Sequence, residues 1–128
     1  MKYLLDVSTL IALIWPSHIN SGKATSWRKG KKLVLCPITE LGFIRVSTSV
    51  AFNASMADAR KALEDFIADE EPEFIPADLR ALEGISAPTS AKTTDYYLAN
   101  LAAAHGMKWA TLDGNTDHPA ASLVRLPY

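Results

Sequence analysis

Four carboxylates of this 128-residue chain stand at the edges of apolar segments. Asp6 follows Tyr3-Leu4-Leu5, Glu40 comes shortly after Leu33-Val34-Leu35, Asp95 follows Thr93-Thr94, and Asp113 follows Trp109-Ala110-Thr111-Leu112. Carboxylates gathered within a few ångströms raise one another's pKa, and a cation relieves that cost. Mg²⁺ and Mn²⁺ suit such a set, because they take oxygen ligands, keep several waters and bind substrate phosphates in the remaining positions. The chemistry suggested is that of phosphodiesters. Each acid also has a reading that needs no chemistry: Asp6 as a helix cap, Asp95 as a charge favoured at a helix N-terminus, and Asp113-Gly114 as a turn. Glu40 is harder to explain that way, since Phe43 and Ile44, three and four residues on, turn its side of a helix toward an apolar face.

The elements that must position these acids alternate between strand and helix. Tyr3 to Leu5 reads as a short buried strand, with Ser8 and Thr9 able to cap a helix running through Leu13. Ala24 to Lys29 reads as a helix closed by Gly30, and Lys32 to Leu35 as a second strand. Ile38 to Ser47 is helical, with Pro37 at its first turn and Leu41, Ile44 and Val46 directed to a core. Met56, Ala59, Leu63, Phe66 and Ile67 recur at helical spacing over about 55–68. Phe74-Ile75 is a brief strand, and 76–92, with two prolines and a glycine, is an irregular connection. A helix from Thr93 to His105 stops at Gly106, Lys108 to Leu112 is a strand, and Leu123 to Leu126 is the last one. This order predicts a three-layer α/β/α domain over 1–128 with a mostly parallel sheet and its ligands at the carboxyl ends of the strands.

Composition excludes several classes. Apolar residues make up 48% of the chain, charged residues 21%, and the net charge is −1, so a disordered tail or a strongly basic duplex-coating protein is excluded. One cysteine, Cys36, permits no internal disulfide. Asp6 interrupts the apolar N-terminal run, and no run reaches the roughly 18–20 apolar residues of a membrane span, so a cytoplasmic protein without membrane association is expected. His18, His105 and His118 lack partners at zinc spacing.

Four segments carry a family resemblance: Leu4-Leu5-Asp6-Val7-Ser8-Thr9-Leu10, Cys36-Pro37-Ile38-Thr39-Glu40-Leu41-Gly42-Phe43-Ile44-Arg45, Thr93-Thr94-Asp95-Tyr96-Tyr97-Leu98-Ala99 and Ala110-Thr111-Leu112-Asp113. Together and in this order they resemble the motifs of PIN-domain ribonucleases, most closely the VapC toxins of bacterial type II toxin–antitoxin pairs. The resemblance spans nearly the whole chain. It implies a PIN-like fold that binds Mg²⁺, or Mn²⁺, and hydrolyses RNA, with Asp6, Glu40, Asp95 and Asp113 as catalytic metal ligands. It also implies a homodimer and a VapB-like antitoxin. Ser8 and Thr111 match positions where the family uses small polar residues near the metal. Ser8 stands where many relatives have Asn, and Gly114-Asn115-Thr116-Asp117 lacks the aromatic residue often found after the last acid. Asp117 has two readings, a further metal contact or a solvated loop acid.

Trp27-Arg28-Lys29-Gly30-Lys31-Lys32 mixes four cations with an aromatic ring, as an RNA-guiding patch would, or as a helix C-terminus collects cations. Arg45 fits either a phosphate contact or an ion pair. Beside the metal-dependent nuclease, two other functions are compatible with the fold: a non-catalytic RNA- or protein-binding module, and a small-ester phosphohydrolase. The latter lacks a second Asp at position 8 and a Gly-rich phosphate loop.

Overall fold

A computed structural model describes residues 1–126. The chain runs β1 (Lys2–Leu5), α1 (Val7–Ile14), α2 (Ser21–Trp27), β2 (Lys32–Leu35), α3 (Pro37–Ser47), α4 (Met56–Glu70), β3 (Glu73–Phe74), a 3₁₀ turn (Ser90–Lys92), α5 (Thr93–Ala104), β4 (Lys108–Thr111) and β5 (Ala121–Leu123). The strands form one sheet in the order β3-β2-β1-β4-β5, and every pairing is parallel. β1 lies at the centre, with Leu4 opposite Val34 of β2 and Trp109 of β4.

The alternation of side chains along these short strands sorts the core into two layers. Leu5, Leu33, Leu35 and Ala110 face α1 to α4, where Leu10, Trp27, Phe43, Leu63 and Phe66 are buried. Leu4, Val34 and Trp109 face the other way, onto Leu98, Ala99, Leu101 and Ala102 of α5. Both faces of the sheet are covered, which is why its strands read as continuous apolar runs. The architecture is the three-layer α/β/α arrangement expected from the sequence.

Several local expectations are corrected. Asp6 caps α1, as one of its two readings had it, and Ser8 and Thr9 do not; the Asp6 carboxylate accepts the Thr9 amide at 2.6 Å. Leu41 points to solvent, and Phe43 fills the core instead, because the inward stripe of α3 runs through Thr39, Phe43 and Ser47. In α4 the buried stripe is Ala59, Leu63 and Phe66, with Met56 and Ile67 exposed at either end. α2 begins a turn earlier than its sequence suggests. The last strand is Ala121–Leu123 and not Leu123 to Leu126. Its register is set by β4, since Trp109 N donates to Ala120 O and Val124 N to Thr111 O, after which β4 has ended. α5 ends where expected, and Gly106 follows it at φ 68°, a left-handed turn that glycine adopts without a Cβ penalty.

Candidate active site

A parallel sheet delivers all its strand ends to one edge, and three of the four acids meet there. Asp6 leaves the end of β1 and Asp113 lies just past β4, the strand hydrogen-bonded beside it. The two strand ends are tied together where Asp6 N donates to Ala110 O at 3.0 Å. Asp95 comes from the first turn of α5, which packs against β4 and β1.

Their electrostatics register the proximity. Asp6 is buried, and its carboxyl is pushed up to about 6; loss of solvation is the main cause, opposed by Thr9 and Thr111 and reinforced by the charge of Asp95. Asp95 is also raised, by burial and by Asp113, although Lys92 pulls it down. Asp113 goes the opposite way. The Lys92 ammonium, bonded to Asp113 Oδ2, holds its carboxyl below the ordinary range, helped by the Asn115 amide and the Thr116 hydroxyl. Thr111 supports the corner from β4, its hydroxyl accepting the Asp113 amide at 3.0 Å.

Glu40 sits in the first turn of α3, half-buried in a groove against α4 with Ile44, Arg60 and Leu63, and burial alone raises its carboxyl. α3 is fixed to the end of β1 by the Thr39 hydroxyl, which donates to Leu5 O at 2.8 Å. Among the described residues, no three His, Cys, Asp or Glu side chains stand within reach of one ion. The donor set still suits a hard divalent cation. It offers only carboxylate oxygens, those carboxylates repel one another, and the corner already attracts the cationic Lys92.

Other predicted residues lie further out. Ser8 is exposed on the first turn of α1. Asp117 is exposed, and its backbone carbonyl accepts the Tyr96 hydroxyl at 3.0 Å. Arg45 is exposed in the last turn of α3. Arg28, Lys29 and Lys31 lie just before β2 and Lys32 opens it, at the end of the sheet opposite the acids, a strand length of about 13 Å away. There Arg28 pairs with Glu70, and Lys31 donates to Trp27 O at 2.8 Å while lying over the Trp27 ring.

Lys92 is the residue that the reading of acids missed. The signal was present as a cation three positions before Asp95, where a helix would bring the two together.

The chain matches no protein-family model. It is 34% identical to Ribonuclease VapC38 of Mycobacterium tuberculosis (strain ATCC 25618 / H37Rv) over 124 residues, 86% of this chain and 84% of that protein. The chain belongs to the VapC ribonuclease family. VapC39 of the same species is 31% identical over 140 residues, covering 98% of this chain and 99% of its own, and VapC29 is 31% identical over 122 residues, covering 92% and 90%. VapC membership agrees with the order of the four motifs and with the three-layer fold. Among the described residues, no helix is long and apolar enough to cross a membrane.

Proposed function

We propose that this VapC-family protein is a metal-dependent endoribonuclease of the cytoplasm, the growth-inhibiting toxin of a toxin–antitoxin pair, with Asp6, Glu40, Asp95 and Asp113 as its acidic site. The observation that carries this reading is the gathering of Asp6, Asp95 and Asp113 toward the carboxyl ends of two adjacent central strands, where the charge of Asp113 helps raise Asp95 and that of Asp95 helps raise Asp6. Mg²⁺ or Mn²⁺, when bound, would lower the pKa of a water and shield the charge that gathers on phosphorus during in-line attack. Asp6 contributes a carboxylate held rigid by the α1 cap, and Thr111 holds the backbone of Asp113 in place. Lys92 keeps Asp113 ionised and supplies a positive charge beside the position where a phosphate would lie. Family membership supports a homodimer, an RNA substrate and a VapB-type antitoxin; an Arg or Lys of such a partner could neutralise the same carboxylates.

The test is cleavage of total cellular RNA by antitoxin-free protein in Mg²⁺, Mn²⁺ or EDTA, with Asp95→Asn prepared in parallel. Discrete metal-dependent fragments absent from the variant are expected. Folded protein that binds Mn²⁺ without cutting RNA would favour the second reading, a non-catalytic RNA- or protein-binding module. That reading draws its support from the Lys92–Asp113 pair, which balances one acid without any metal.

A further inference from the structure

Beside the acid corner an open hollow of about 800 Å³ lies between α5 and the segment 77–90. No charged side chain lines it. Its walls include the hydroxyls of Thr89, Ser90, Thr93 and Thr94, the ring of Tyr97, and Ile38 from the first turn of α3. Thr93 and Thr94 fill the two positions between Lys92 and Asp95, so hollow and acids share the first turn of one helix.

The roof of the hollow is held by α5. The Tyr97 hydroxyl donates to Leu79 O at 2.7 Å. The Asn100 side chain clasps Ile85 twice, accepting its amide at 3.0 Å and donating to its carbonyl at 2.9 Å. Gly84, at φ 83°, lies against the Asn100 amide, where any Cβ would collide. His118 Nε2 bonds the same Asn100 oxygen at 2.9 Å while its Nδ1 accepts the Ala120 amide, which requires the neutral Nε2–H tautomer.

We infer that this hollow is a subsite for the unstacked bases of single-stranded RNA flanking the bond cut at the acid corner, an inference that rests on the nuclease reading above. An RNA strand carries its charge on the phosphates and presents flat, neutral bases with hydrogen-bonding edges. Sequence-selective proteins take such splayed bases onto aromatic rings and polar side chains. Here the charged corner suits the phosphate, and the adjoining uncharged wall of hydroxyls and two tyrosines, Tyr96 and Tyr97, suits the bases. The volume falls within the usual range of pockets for molecules of nucleotide size. Because α5 holds the roof through side-chain bonds, the subsite is formed before RNA arrives, and little ordering cost remains on binding.

The experiment uses fluorescein-labelled octaribonucleotides of A, C, U and alternating G/A, with an abasic octamer of the same backbone, and anisotropy in EDTA so that nothing is cut. The full chain should bind at least one base-bearing octamer about tenfold or more tighter than the abasic one. Ser90→Trp and Ser86→Trp, at exposed lining positions, each fill the hollow; with folding verified by thermal unfolding, each should reduce binding to the abasic level. Equal wild-type affinity for abasic and base-bearing strands overturns the inference, as does a folded filled variant that keeps the preference. A dimer whose mass falls in the filled variants while base preference stays assigns the hollow to a second copy and overturns it too. Cutting of the same octamers in Mn²⁺ tests the nuclease reading separately. Base preference without cutting defeats that reading alone, and cutting without base preference defeats the subsite alone.

Discussion

Lys92 and Asp113, 21 positions apart, form an ion pair that joins the start of α5 to the loop after β4. Hydrogen bonding and charge hold Asp113 below its ordinary pKa and Lys92 above its own. An ammonium in that position competes with any cation drawn to the acids. Lys92→Met is therefore expected to bind Mn²⁺ several-fold more tightly at low ionic strength by calorimetry, and weaker binding would show that Lys92 organises the corner instead of competing for it.

Asp95→Asn removes a charge that raises Asp6 and is itself raised by Asp113, so the folded protein should be no less stable. RNA cleavage should fall by at least about a hundredfold if the carboxylate holds the metal. Near-wild-type cutting by this variant would remove Asp95 from the site.

Asp6 makes stability depend on pH with a definite sign. Its folded pKa, about 6, exceeds the ordinary 3.8, so between those values the folded chain keeps a proton that the unfolded chain has lost. Stability of the metal-free protein should fall as pH rises through that window, by on the order of 2 kcal/mol from this group. Asp95 and Glu40, also raised, act in the same direction, whereas Asp113, lowered, contributes stability that is lost only as pH falls toward its own pKa. Urea unfolding in EDTA at pH 4.5 and pH 7 measures the difference. Asp6→Asn keeps a good N-cap and should flatten it.

Gly42 sits where α3 crosses α1, and a Cβ there would overlap the Val7 side chain, one residue from Asp6. Helix propensity favours Ala over Gly by about 1 kcal/mol, but overpacking costs about 1–3 kcal/mol. Gly42→Ala should therefore be neutral to destabilising in thermal unfolding, and should lower cleavage more than stability, since Val7 moves the Asp6 cap. A stabilised variant with full activity would show that Val7 yields freely.

Charge reversal at both Lys31 and Lys32 separates the two ends of the sheet. These lysines lie a strand length from the acids, so cutting of short oligoribonucleotides should be unchanged. Binding of long RNA should weaken and lose part of its salt dependence if the strand reaches them. An unchanged salt slope would confine them to their contacts at the end of α2.

Much of this was legible in the residues because strand ends announce themselves. An apolar run followed by Asp6 or Asp113 marks both the end of a strand and a carboxylate placed there, and the alternation of elements dictated a sheet covered on both faces. What escaped was set by partners distant in sequence. The extent of β5 depends on where β4 stops, and the exposure of Leu41 depends on Phe43 taking the place against α1 and α4. The groove that Glu40 shares with Arg60 and Leu63 depends on how α3 lies on α4. Nothing in the sequence singles out Asn100, and His118 stands there only as a histidine without zinc partners; in the folded chain Asn100 holds Ile85 and His118 bonds the Asn100 oxygen.

The central pairing of β1 with β4 joins residues more than a hundred positions apart, Tyr3 opposite Lys108. During synthesis the first acid is therefore made almost at once and waits for the last. Until residue 113 has left the ribosome, the emerging chain lacks the strand end that brings Asp113 beside Asp6 and Asp95. Whatever activity depends on the corner of Asp6, Asp95 and Asp113 therefore arises only when translation of the chain is nearly finished.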